Sequence, residues 1–190
     1  MSATFEDRLN QILPRITSPD FLGNKGLGNE IGFWVFDYPP DRELEMRGFV
    51  SSVVMPALAK SSVIAKEINL FQLIIGLLEE RKLLDRAIEM QATKGNDAAL
   101  APLRSVLKED KLAQRITTLV DVNELQVLIL TGVGAAYPML RSHTLLTALH
   151  SVMKSTPLLM FYPGRYNGFS LRLFNKLADD HYYRAFRLVE

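Results

Sequence analysis

The sequence predicts an α/β fold, with a mainly parallel five-stranded sheet sandwiched by helices. The outline is P-loop-like or Rossmann-like but degenerate, with a helical insert at 72–120. Three observations lead there. Short β-branched or aromatic runs (FWVFDY at 33–38, QVLILT at 126–131, PLLMFY at 157–162) alternate with stretches whose apolar residues recur at helical spacing. Strands separated by helices need crossover connections, hence parallel pairing and a sheet covered on both faces. Finally, 190 residues at 48% hydrophobic and 23% charged suffice for one core, so residues 1–190 read as a single domain.

Taken in order, Thr4 is a natural N-cap, and Phe5, Leu9, Ile12 and Leu13 then recur at helical spacing up to Pro14. Residues 17–32 read as loop, with glycines at 23, 26, 28 and 32. The run at 33–38 is a buried strand ended by Pro39-Pro40. Met46, Val50, Val53, Val54 and Ala57 mark an amphipathic helix disturbed near its end by Pro56. A second strand is expected at 63–69. A long helical stripe runs through Leu70, Leu73, Ile74, Leu77, Leu84 and Ile88, and 94–97 breaks it. Residues 98–119 read as one or two charged outer helices. The third strand is 126–131, followed by a helix carrying Leu145, Leu146, Leu149, Val152 and Met153. The fourth strand is 157–162, then a short helix at 171–177, then a fifth strand at 182–189.

Composition narrows the function classes. With no cysteine there is no disulfide, no cysteine nucleophile and no thiolate zinc site. A net charge of +1 gives no global reason to seek DNA or acidic lipid. The first residues carry acids and no apolar stretch, unlike a signal peptide, and the densest apolar run, at 73–78, is too short to cross a bilayer. The expected compartment is the cytoplasm, with no membrane partner.

The β-α order raises nucleotide binding, but a phosphate loop needs glycine N–H groups and a lysine. The turn after the first strand is instead Asp37-Tyr38-Pro39-Pro40-Asp41-Arg42-Glu43, in which prolines remove donors and carboxylates repel phosphate. Gly132-Val133-Gly134 follows a strand, but Tyr137 stands where a dinucleotide fingerprint has its third glycine. His143 and His150 lie about two helical turns apart, roughly 10 Å along the axis, too far for one metal. No serine-nucleophile elbow is present, and Asp179-Asp180 reads as a solvated turn. No catalytic residue, cofactor or metal site is expected.

The C-terminal third holds the candidate surface. Tyr162-Pro163-Gly164-Arg165-Tyr166-Asn167-Gly168 reads as a turn-rich loop, and Arg172, Lys176, Arg184 and Arg187 follow, interleaved with aromatics. Three readings stand side by side: a packed last strand with surface arginines, a protein interface built on tyrosine and arginine, and a grip on single-stranded nucleic acid. As a partner-binding surface it comprises Tyr137, Tyr162, Arg165, Tyr166, Arg172 and Arg184.

Four phrases in order carry a further resemblance: GNEIGFWVFDYP at 28–39, LTGVGAAYPMLRSH at 130–143, FYPGRYNG at 161–168 and YYRAFR at 182–187. Together they resemble the BrxB family of bacterial BREX (bacteriophage exclusion) systems, from about Phe5 to Val189. The resemblance implies a role in phage defence and host DNA methylation, as a non-catalytic adaptor or scaffold. It implies PglZ as the direct partner, with PglX and BrxC contacted indirectly. It carries no catalytic residues to transfer. The alternative is a nucleic-acid-binding accessory module that uses the C-terminal Arg/Tyr-rich segment.

Overall fold

The computed structural model describes residues 3–24, 32–153, 155–178 and 185–190. Helix α1, Phe5–Ile16, opens with a capping box in which Thr4 Oγ1 accepts the Asp7 N–H at 3.1 Å and the Asp7 carboxylate accepts the Thr4 N–H at 3.0 Å. The bond from the Thr4 side chain, then that from its backbone, hold the Asp7 carboxyl below its ordinary value. Pro14 sits in the last turn and the helix runs on to Ile16. A single turn, α2 (Pro19–Leu22), interrupts the expected loop, with Ser18 as its cap and Pro19 leading it.

Strand β1, Phe33–Tyr38, leads through a 3-10 turn, Pro40–Arg42, into one continuous helical rod. The rod comprises α3 (Glu43–Phe49), a π-helical stretch Val50–Val54, and α4 (Met55–Lys60). The widened turn ends two residues before Pro56, which has no N–H to donate and whose ring would crowd the turn before it. Then come β2 (Ala65–Asn69), α5 (Leu70–Glu80), α6 (Leu84–Lys94), α7 (Asn96–Val106) and α8 (Glu109–Leu119). The stripe expected to run unbroken past residue 80 is split at 81–83, where Lys82 takes φ 57°. After β3 (Val127–Thr131), α9 (Val133–Ala136) and α10 (Ser142–His150), the chain forms β4 (Leu158–Tyr166), β5 (Leu171–Leu173), β6 (Leu177–Ala178) and β7 (Phe186–Arg187).

The strands lie in the order β2-β3-β4-β1-β7, with every contact along that path parallel. The mainly parallel α/β sheet is therefore as expected. Its order differs from the 3-2-1-4-5-6 Rossmann sequence, because β4 stands between β1 and β3. Alternation sends Val35, Leu128, Leu130 and Met160 to one face, against α5, α8 and α10. Phe36, Val127, Ile129, Leu159 and Phe161 face the other side, against α1 and the α3–α4 rod. Each such buried side chain contributes about 1.5–3 kcal/mol relative to exposure.

The C-terminal third departs from expectation in three ways. First, β4 does not stop at Tyr162. Its parallel partner β1 runs out at Tyr38, opposite Pro163, and antiparallel β5 takes over from Gly164, opposite Leu173. Gly164 is required at this handover, since a Cβ there would lie 2.2 Å from the Arg172 carbonyl oxygen. Second, the short helix expected at 171–177 is the β5–β6 hairpin. Leu171, Arg172 and Leu173 alternate buried, exposed, buried, a period of two. Phe174 and Asn175 then take φ 54° and 61° in a tight turn closed by Lys176 N–H to Leu173 O at 3.0 Å. Third, the last strand is confined to Phe186–Arg187, while the expected positions 182–184 lie outside the described residues.

Candidate interaction site

The candidate site lies at the carboxyl ends of β1, β3 and β4, where open parallel sheets place their ligands. The chain leaves β1 towards the α3–α4 face. It leaves β4 through β5, whose Leu171 and Leu173 join the opposite core. Two clefts flank the β5–β6 hairpin. One, of about 360 Å³, is lined by Arg8, Asp37, Pro39, Gly164, Arg165, Arg172 and Asn175 among others. The other, of about 310 Å³, is lined by Tyr137, Arg141, Tyr162, Lys176 and Leu177 among others.

The glycines after β3 serve this chain's own packing. Gly132 takes φ 70°, and a Cβ on it would lie 2.3 Å from Asn69 Oδ1. Asn69 uses that same oxygen to accept the Gln72 N–H at 3.1 Å and so caps α5. A Cβ on Gly134 would meet the Phe174 ring at 2.9 Å and Pro163 at 3.0 Å. The space that opens a dinucleotide loop to pyrophosphate is thus occupied by an aromatic side chain from the β5–β6 turn. Phe174 holds a left-handed backbone rare for a bulky residue, and the seating of its ring compensates.

The expected surface residues separate into two groups. Tyr162 and Tyr166 are core, at 1% and 0% exposure, so they present no ring to a partner. Tyr166 is buried because its hydroxyl has a partner inside: it donates to the Ala185 carbonyl at 2.6 Å, with the Gly168 carbonyl at 3.0 Å. Tyr137 is 37% exposed at the rim of the second cleft. Arg165 and Arg172 are exposed and are direct cross-strand partners, so their side chains leave the same face of the hairpin. Arg184 lies outside the described residues. His143 and His150 both belong to α10, and the His150 ring meets Phe33 edge-on at 5.9 Å. Among the described residues no group of three His, Asp or Glu could hold a metal. No described helix is long and apolar enough to cross a membrane.

Three charged residues, Arg8, Asp37 and Arg187, organise the end of β1, and residue patterns assigned none of them that role. Asp37 is buried; Arg8 Nη2 donates to its Oδ1 at 2.6 Å, and the Tyr166 N–H donates to its Oδ2 at 2.9 Å. Arg187 donates to the Tyr166 carbonyl and pairs with Glu190 at 3.1 Å. The one available signal was a single carboxylate inside the aromatic run FWVFDY, since a buried charge requires a partner.

With this geometry in place, comparison with known proteins identifies the chain. A family model described as "BREX protein BrxB" matches residues 66–188. A Bacillus cereus protein named BREX protein BrxB is 42% identical over 188 residues, covering 97% of each chain. This chain belongs to the BrxB family. An Escherichia coli BREX protein BrxB is 44% identical over 184 residues, covering 97% of this BrxB-family chain and 91% of the relative. No solved structure matches it.

Proposed function

We propose that this BrxB-family chain is a non-catalytic adaptor of a BREX phage-defence and host DNA methylation complex. It acts in the cytoplasm and binds the PglZ component directly, with PglX and BrxC reached through the assembly. One observation carries the reading. The turns at the strand ends where an α/β enzyme cradles a phosphate are taken up by the chain's own residues, with Phe174 packed on Gly134 and Pro39-Pro40 where N–H donors would be. What remains outward is a surface of Arg165, Arg172, Tyr137 and Leu177 around the hairpin. Exposed arginine and tyrosine beside apolar side chains suit protein recognition.

The nucleic-acid reading has less support. Tyr162 and Tyr166 are buried away from any base, and Arg187 is committed to internal partners. The deciding experiment is co-purification of tagged protein with PglZ from cells expressing the whole operon, followed by gel filtration. Stable co-elution is expected. Clean separation of the two at micromolar concentration sinks the adaptor reading, and a salt-sensitive mobility shift with single-stranded DNA would favour the alternative.

A further inference from the structure

Arg165 and Arg172 stand opposite each other across an antiparallel pair, an arrangement in which like charges destabilise the hairpin. Among the described residues neither side chain has an ion pair or hydrogen bond, and the same holds for Arg141 and Lys176 beside the second cleft. The acid that shares their cleft, Asp37, is already engaged by Arg8 and by the Tyr166 N–H. Among the described residues, then, two guanidinium forks line one concave space of about 360 Å³ with no counter-charge of their own.

We infer that this cleft binds the carboxylates of an acidic segment of a partner protein, with Arg165 and Arg172 as paired forks. The inference rests on the adaptor reading and gives the chemistry of the surface that the partner brings. Guanidinium forks match carboxylate oxygens two by two, and a planar fork loses little freedom in doing so. Phosphate fits the same space poorly. It carries more charge towards the Asp37 carboxylate, and Pro39 and Pro40 supply no N–H groups to cradle it. The apolar neighbours point the same way. Leu177 at 39% exposure and Tyr137 at 37% line the adjoining cleft and suit the apolar side chains of a peptide.

The test uses the full chain and a fluorescein-labelled glutamate-rich peptide, read by fluorescence polarisation. R165E and R172E should each weaken binding by roughly ten-fold, and the double variant should abolish it. R104E, an equal charge change on the exposed face of α7, should leave it unaltered. R172E places an acid opposite Arg165, so its melting temperature should equal or exceed that of the wild type, which separates lost binding from lost folding. Equal weakening by R104E would overturn the inference, as would displacement of the peptide by millimolar inorganic phosphate. The co-purification assay separates the two claims. If the double variant still retains PglZ, the cleft inference fails and the adaptor reading stands. If the wild type does not retain PglZ yet binds the peptide through both arginines, the adaptor reading fails and the cleft stands.

Discussion

Arg8 Nη2 lies 2.6 Å from a carboxylate oxygen of Asp37, which joins the first helix to strand β1 across 29 positions of sequence. The same guanidinium donates from Nη1 to the Asp37 carbonyl at 2.9 Å and sits 4.8 Å from the centre of the Phe36 ring. The second carboxylate oxygen holds the Tyr166 N–H, and Tyr166 in turn holds Ala185 through its hydroxyl. One acid therefore anchors the lining of the first cleft and the β4–β5 strand pair that carries Arg165 and Arg172.

Removing that acid strands a largely buried guanidinium and a buried N–H. Asp37→Ala should cost about 3 kcal/mol, the lower end for breaking a buried ion pair from one side. Asp37→Asn keeps an acceptor for Tyr166 and should cost less. Urea unfolding followed by circular dichroism measures both. A loss under about 1 kcal/mol in the alanine variant would show that the pair does not hold the cleft together.

Gly134→Ala tests whether the glycine exists for Phe174. The added methyl meets ring carbon and Pro163 rather than solvent, so the expected loss is about 1–3 kcal/mol through overpacking. In a Phe174→Leu background the smaller side chain yields, and the penalty of the same methyl should shrink. Thermal melts of the four proteins give the coupling directly; strict additivity would separate the two residues.

Tyr38 supplies a pH signature. Burial first, and then the hydrogen bond its hydroxyl donates to Glu43 Oε2 at 2.6 Å, push the phenol far above its ordinary value. A raised folded value means that the contribution is complete below the unfolded phenol's pKa of about 10 and is lost as pH rises beyond it. Above that point stability should fall by up to about 1.4 kcal/mol per pH unit from this group alone. Tyr38→Phe removes this slope. Urea midpoints at neutral pH and in the alkaline range should converge between the two proteins as pH rises, and parallel curves would contradict the assignment.

These relationships also mark how far sequence patterns reached. The apolar runs of β1 and β3 and the stripes of α5 and α10 were legible, because burial on both faces of a parallel sheet leaves nearly continuous hydrophobic strands. The hairpin was not. Pro163-Gly164 reads locally as a turn, and only the approach of the Arg172 carbonyl, set by pairing, makes that glycine part of a strand. Phe174 carries no local signal for a left-handed turn; tertiary seating of its ring dictates it. At the site, Arg165, Arg172 and Tyr137 were legible as candidates. Tyr162 and Tyr166 misled, since a tyrosine is as suited to a core that satisfies its hydroxyl as to a surface. Arg8 was invisible because its partner lies 29 residues away.

Gly132 and Asn69 offer the sharpest test that the glycine-rich turn after β3 is structural rather than a remnant phosphate loop. Gly132→Ala meets two penalties, a left-handed backbone at φ 70° and a collision with the Asn69 side chain 2.3 Å from the new Cβ. The backbone term is about 1 kcal/mol, and the collision adds to it. Asn69→Ala alone removes the α5 cap and should cost about 1 kcal/mol. In the double variant the collision vanishes while the backbone strain and the lost cap remain. The double variant should therefore be more stable than the sum of the single losses implies, by roughly 1 kcal/mol or more of coupling. A turn held open for an external phosphate would show no such coupling, because the alanine methyl would then project into free space whatever stood at position 69.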